Sequence, residues 1–356
     1  SFNQRDLKPT CLAYQHSFSG PYRIAFAKSK YLLPSRWYMP ESGEGRILVT
    51  GALGQIGTDL VENLREIYGS DKVLASDIRE ISGHPSVSSG PFTLLDVLDS
   101  DKILKLVENE NITIIYHLAA ILSAKGEEKP ELCELINVGG TKNILEAARK
   151  NKIRVFVPSS IAVFGPDAPK HAPQLTPLNP STKYGMTKVD CEILGMIYWQ
   201  KYGVDVRGIR YPGLISWKSP VSGGTTDYAV DIFHSALSPK KSYNCFLRAD
   251  TKLPMMYMED AIRATITLMN QPIESLSSAR CGYNISGLSF TAEELSSEIT
   301  NHIPGFICNY QPDIRQNYAD SWPDSVDDEV AKNDWEWKPE FQLETLVKDM
   351  IENLTK

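Results

Sequence analysis

Three glycines set between an apolar run and an amphipathic run constrain this chain more than any other feature. Arg46-Ile47-Leu48-Val49-Thr50 reads as a short buried strand and Asp59 to Tyr68 as an amphipathic helix, with Gly51, Gly54, Gln55, Ile56 and Gly57 between them. At such a junction glycine lets the backbone turn sharply and come close to a pyrophosphate, while the first helical amides receive the negative charge. Glycines at this spacing equally serve a plain tight turn. Their place between strand and helix favours the nucleotide site.

Further strands follow at Val73–Asp77, Ile112–Leu118, Arg154–Pro158 and Val204–Arg210, separated by helical stretches such as Glu131–Lys150. Strands alternating with helices predict an α/β fold, a Rossmann-type doubly wound parallel sheet. Beyond Tyr211 the pattern loosens into proline- and glycine-containing loops and then resumes as helices at Glu259–Asn270, Thr291–Ile303 and Leu343–Leu354. Residues 46–210 are thus expected to form the cofactor-binding domain with the catalytic residues. Residues 211–356 are expected to form mainly a smaller C-terminal α/β substrate-binding lobe, with the option of returning strands to the sheet.

Asp77 ends the second strand, twenty residues after Gly57. A carboxylate there accepts hydrogen bonds from adenosine ribose hydroxyls and repels a 2′-phosphate, so NAD is expected rather than NADP. Arg79 is the discordant neighbour. After Leu118, Ala119 and Ala120 place small side chains at the end of the third strand, all three beside the expected dinucleotide, and Asp96-Val97 is a candidate border of the adenine. His117 and Asp96 read equally well as a core histidine and a surface loop.

Composition excludes several function classes. With 42% apolar and 23% charged residues the chain has the make-up of a globular protein, and its net charge of −7 argues against nucleic acid as a partner. No window is long and apolar enough to insert in a membrane. The six cysteines form no C-x-x-C pair and no H-E-x-x-H motif is present, so no metal is expected. Residues 1–40 hold six Lys/Arg against Asp6, a net of +5 that leaves −12 for the remainder. The basic N-terminal extension, residues 1–45, reads as a mitochondrial targeting remnant or as an arm packed on the enzyme; without targeting the location is cytoplasmic.

The chemistry points to Tyr184-Gly185-Met186-Thr187-Lys188, where i,i+4 spacing on a helix puts a phenol and an ammonium on one face. A cation beside a phenol favours the phenolate, each pH unit corresponding to about 1.36 kcal/mol. That makes Tyr184 a candidate general base for a hydroxyl proton. An exposed helix pair gives the same spacing by chance. Ser160, however, lies at the carboxyl end of an expected sheet strand, where ligands of open α/β sheets bind, and is placed to hydrogen-bond a substrate oxygen.

Together T-G-x-x-G-x-x-G, His117-Leu118-Ala119-Ala120, Asn137-Val138-Gly139-Gly140-Thr141, S-S-x-x-V-F-G from Ser159 and Y-G-x-x-K from Tyr184 resemble the extended short-chain dehydrogenase/reductase superfamily, over about residues 46–350. The resemblance implies Tyr184 as base, Lys188 as its modulator and nicotinamide-ribose anchor, and Ser160 as the alcohol-binding partner. Asn137 and Tyr211 are carried over as residues near the cofactor. Narrower likenesses, in Ala120–Glu127, Arg210–Gly213, Gly223–Ala229, Leu253–Met258, Ala319–Pro323 and Asp334–Pro339, are to the short-chain family of threonine 3-dehydrogenases.

That family implies oxidation of L-threonine to 2-amino-3-oxobutanoate, a homodimer, and a functional link to a coenzyme A-dependent lyase. A small zwitterion needs hydroxyls and backbone amides in a tight pocket; Ser123 with Gly224, Thr225 and Thr226 would hold its charged ends, and Tyr184 with Ser160 its reacting hydroxyl. Each of these hydroxyls also suits a cap or turn. Two rivals remain open, a nucleotide-sugar epimerase or dehydratase with the same catalytic set and a silent NAD-binding sensor. A dehydratase would carry an acid pair beside Ser160, where this chain has Ile161-Ala162.

Overall fold

The computed structural model describes residues 45–218 and 223–356, so the expectations for residues 1–44 lie outside the described residues. Its centre is a six-stranded parallel sheet. In chain order the strands are β1 (Arg46–Thr50), β2 (Val73–Asp77), β3 (Phe92–Leu94), β4 (Ile112–His117), β5 (Arg154–Phe156) and β6 (Val206–Arg207), ordered in space β3-β2-β1-β4-β5-β6. Every pairing is parallel. The reversal between β1 and β4 opens a crevice beyond their carboxyl ends.

Buried on both faces, the inner strands must be apolar almost throughout, and β2 is buried at every residue. Helix α1 (Gln55–Tyr68) covers one face with Leu60, Val61 and Leu64, which pack in one cluster with Ile262 and Ile266 of helix α5 (Met258–Asn270). The other face carries Ile103 and Val107 of α2 (Ser100–Asn109) and Ile144 and Leu145 of α3 (Thr141–Asn151). A separate core gathers Tyr228, Phe233, Leu253, Phe290, Leu295 and Met350 from the C-terminal part.

Three expected elements differ in detail. The helix expected from Asp59 begins at Gln55, against the glycine turn itself. The stretch 131–150 is one helical run in three parts: Pro130–Glu134, a π-helical Leu135–Gly140, and α3. The strand expected over Val204–Arg210 is two, β6 and β7 (Ile209–Tyr211), divided at Gly208. A side chain at Gly208 would put its Cβ 2.5 Å from the Cys281 carbonyl and 2.6 Å from that of Val157, so only glycine fits where three segments converge. Past this break β7 pairs in parallel with Ser159–Ser160 on one side and with β8 (Tyr283–Asn284) on the other.

Candidate active site

The glycine turn holds a left-handed residue and two close approaches. Gly51 has φ +68°, and a Cβ there would lie 2.7 Å from the Ala119 amide nitrogen. At Gly57 a Cβ would fall 2.3 Å from the Gly51 carbonyl, which lets α1 start against the turn. Gly54 caps α1 without a side-chain hydrogen bond, and the first turn contains no acid. The helix therefore presents uncapped amides and the positive end of its dipole. This cradle fits the pyrophosphate of a dinucleotide.

Asp77 follows with 7% exposure. Its Oδ2 accepts from the Leu53 amide at 3.2 Å and its Oδ1 from the Arg79 amide at 3.2 Å, while the Arg79 Nε stands 3.6 Å from Oδ1. Each carboxylate oxygen has a second lone pair left for a ribose hydroxyl. Arg79, whose side chain is exposed, lines the cavity of the site, whereas Asp77 stands behind it.

Helix α4 (Lys183–Tyr202) brings in the chemistry. Thr182 caps it, its Oγ1 accepting from the Gly185 amide at 3.1 Å. Gly185 lies so close to the turn after Ser160 that a Cβ there would be 2.2 Å from the Ala162 carbonyl. One helical turn on, the buried Lys188 donates from Nζ to the Pro158 carbonyl at 2.9 Å, with its ammonium 5.6 Å from the centre of the Tyr184 ring. Ser160 Oγ accepts from the Ala162 amide at 3.2 Å, which orients that hydroxyl. Its neighbour Ser159 donates to Glu192 Oε1 at 2.5 Å, and Glu192 is held in turn by Arg210 at 2.8 and 2.9 Å.

These parts meet on one cavity of 460 Å³. Its walls include Gly51, Gly54, Gln55, Ile56 and Gly57 of the glycine turn, Leu118 and Ala120 after β4, and Ser160, Tyr184, Lys188 and Tyr211. Ser123, Gly224, Thr225 and Thr226 line the same cavity. The two amides of Gly223 and Gly224 donate to Asp227 Oδ2, each at 2.7 Å, and so fold this loop. A larger open groove of 710 Å³ lies elsewhere, lined by Glu293, Glu294 and Glu298 and by none of these residues.

Five expected cofactor residues stand off the cavity walls: Asp77, held by the Leu53 and Arg79 amides, and four others. Asp96 accepts from the Leu98 amide at 2.9 Å in a local turn. Val97 is buried, in reach of a Cβ built on Gly140. Ala119 backs Gly51, as its amide does. The Asn137 amide group is spent on protein: Oδ1 accepts from the Ile121 amide at 2.7 Å, and Nδ2 donates to the Ile121 carbonyl and Thr187 Oγ1, each at 3.0 Å. Asn137 is a clamp between the segment after β4 and α4. His117 is a core histidine whose Nδ1 meets Thr50 Oγ1 at 2.9 Å, and burial, then the charge of Lys188, drives it down to about 3, so it is neutral.

Lys125, Asp227 and Trp322 line the cavity although the sequence singled none of them out as a contact. All three lie in the narrower stretches of resemblance, or directly beside a residue already chosen, which was the available signal.

The sequence pattern of the NAD dependent epimerase/dehydratase family matches residues 47–285. The chain belongs to that family. Within it, the chain is 45% identical over 313 residues to the mitochondrial L-threonine 3-dehydrogenase of Bos taurus, covering 87% of this chain and 83% of the relative. Among solved structures, a monomeric L-threonine 3-dehydrogenase from a metagenome, in its apo form, is 51% identical with a TM-score of 0.83, over 86% of this chain and 98% of that one. The L-threonine dehydrogenase of Phytophthora infestans is 46% identical with a TM-score of 0.84, over 87% and 99%.

Proposed function

We propose that this protein oxidises L-threonine at its 3-hydroxyl with NAD, giving 2-amino-3-oxobutanoate. The observation that carries the reading is the meeting of the glycine cradle, Tyr184, Lys188, Ser160 and the hydroxyl residues Ser123, Thr225 and Thr226 on one cavity. The glycine turn and the α1 amides would hold the NAD pyrophosphate, Asp77 its adenosine ribose, and Tyr184 and Lys188 the nicotinamide ribose. Bound NAD supplies the hydride acceptor.

Ser160 donates to the substrate 3-oxygen and fixes it beside Tyr184, which as the phenolate takes the hydroxyl proton and becomes the phenol. Lys188, pinned to the Pro158 carbonyl, offers its charge to the phenolate. Ser123 and the Gly224–Thr226 loop would hold the amino and carboxylate groups, so residues 46–210 carry cofactor and catalysis and residues 211–356 mainly the substrate lobe. A nucleotide sugar calls for convergent basic groups on its diphosphate. The cations lining this cavity are Arg79, Lys125 and Lys188, of which Arg79 stands beside Asp77 and Lys188 is held by the Pro158 carbonyl.

The test is NADH formation by purified protein with L-threonine, L-serine, L-allo-threonine and a UDP-sugar, with NAD and NADP compared. Threonine-selective reduction of NAD is expected; silence with threonine despite NAD binding would overturn the reading. The product is a β-keto acid prone to lose carbon dioxide, which supports a functional link to a coenzyme A-dependent lyase. Capture of CoA-dependent glycine formation in a coupled assay tests that link. No helix among the described residues is long and apolar enough to cross a membrane. Mitochondrial residence is supported by the basic residues 1–40 and by the name of the Bos taurus relative, and organelle fractionation tests it.

A homodimer is proposed through α4 and the helical run before α3. Met186, Ile193 and Ile197 recur along one stripe of α4 and are 46%, 52% and 44% exposed, and Leu132 and Leu135 of the other run are 39% and 53% exposed. Apolar stripes of this kind on two adjoining helices are costly in water and mark an association surface. Sedimentation at the dimer mass, falling to the monomer in Ile193→Glu, is the expected result. A monomeric wild-type protein would overturn it.

A further inference from the structure

The amides at the start of the catalytic helix are met by a carboxylate from a distant segment. Glu127, in the short helix Ser123–Glu128, accepts through Oε1 from the amides of Lys183 at 2.7 Å and Tyr184 at 3.4 Å. The first amides of a helix have no partner within it, and a side chain at the cap position satisfies one of them. Here Thr182 takes Gly185, and Glu127 takes the two preceding amides, the second of which belongs to the proposed base.

The same short helix lies directly against Tyr184. A Cβ built on Gly126 would sit 3.5 Å from Tyr184 Cβ and 3.1 Å from Cys133 Sγ. Ser123 and Lys125 of this helix line the cavity. At the segment's other end Asn137 joins Ile121 to Thr187 of α4. The stretch 121–127 is thus fastened to the catalytic helix at both ends, near the helix start by Glu127 and one turn along it by Asn137.

We propose that Glu127 is a positioning residue, which sets the place of the Tyr184 phenol relative to the substrate-facing stretch that begins at Ser123. The inference rests on the proposed role of Tyr184 as base. A carboxylate suits the position twice, since it accepts from both amides and its charge faces the positive end of the α4 dipole. Of the two, reach is the deciding property, because a misplacement on the order of 1 Å at a reacting group costs on the order of a hundredfold in rate.

The test compares Glu127→Ala, Glu127→Gln and Glu127→Asp for threonine kcat and KM, NAD affinity and melting temperature. Ala removes the acceptor, Asp keeps the charge but falls one methylene short, and Gln keeps an acceptor of the same reach. Ala and Asp are expected to lower kcat ~10- to 100-fold and raise KM for threonine with NAD affinity unchanged, while Gln restores most of the loss. A support confined to general stability would lower melting temperature and NAD affinity together. Wild-type kcat in Glu127→Ala, or a Gln variant as impaired as Ala, overturns the proposal. With Tyr184→Phe inactive, that outcome leaves the proposed function standing; an active Tyr184→Phe overturns the reading beneath it.

Discussion

Tyr184→Phe is expected to lower threonine oxidation by ~10²- to 10⁴-fold, the range over which a positioned general base acts. The substitution removes one hydroxyl and keeps the ring against Gly126 and Lys188, so the helix and the cradle for NAD have no reason to move. NAD affinity, measured by titrating the protein's fluorescence, should therefore fall by no more than the loss of one ribose contact, on the order of tenfold or less. Loss of NAD binding in step with activity would assign Tyr184 to cofactor binding alone. Retention of more than a few per cent of turnover would remove it as the base.

The second large effect belongs to its neighbour, a residue with no chemistry of its own. On helix propensity alone Gly185→Ala should stabilise the protein, by roughly 0.5–1 kcal/mol. Space reverses the sign: the new methyl would lie 2.2 Å from the Ala162 carbonyl and 2.7 Å from Pro180 Cβ, and overpacking of this kind typically costs about 1–3 kcal/mol. Relief requires the start of α4 to back away from the turn after Ser160. That separates Tyr184 from the serine hydroxyl, and on the order of a hundredfold in kcat should go with a lowered melting temperature. An unchanged melting temperature together with an unchanged kcat would show that the turn yields freely.

How much of this was legible in the sequence depended on whether a feature was local. The strands Arg46–Thr50 and Val73–Asp77 and the helix Leu343–Leu354 stand where their apolar patterns placed them, because each is defined by burial along a single segment. The edge strand Phe92–Leu94 left no such trace, being short and only half-buried. Gly208 gave no warning that it divides a strand, since what it avoids are carbonyls from residues 157 and 281. The site followed the same rule. Tyr184, Lys188 and Ser160 were readable because one helix turn and one strand end carry them, whereas Glu127 and Asn137 act through partners about fifty residues away, which no spacing reveals.

The strand at Tyr283–Asn284 has a consequence for how the chain can be cut and how it is made. It supplies the outer neighbour of Ile209–Tyr211, whose other neighbour is the segment holding Ser160. A fragment ending near residue 210 would hold every glycine of the cradle and the three side chains proposed as catalytic, yet its last strand would be a bare edge open to pairing with another chain. During synthesis the same edge stays unpaired until more than seventy further residues have been added, and such long-range closures are slow and prone to aggregation. The part with the central sheet and the proposed catalytic residues is therefore no independent module, and its completion waits on the C-terminal half.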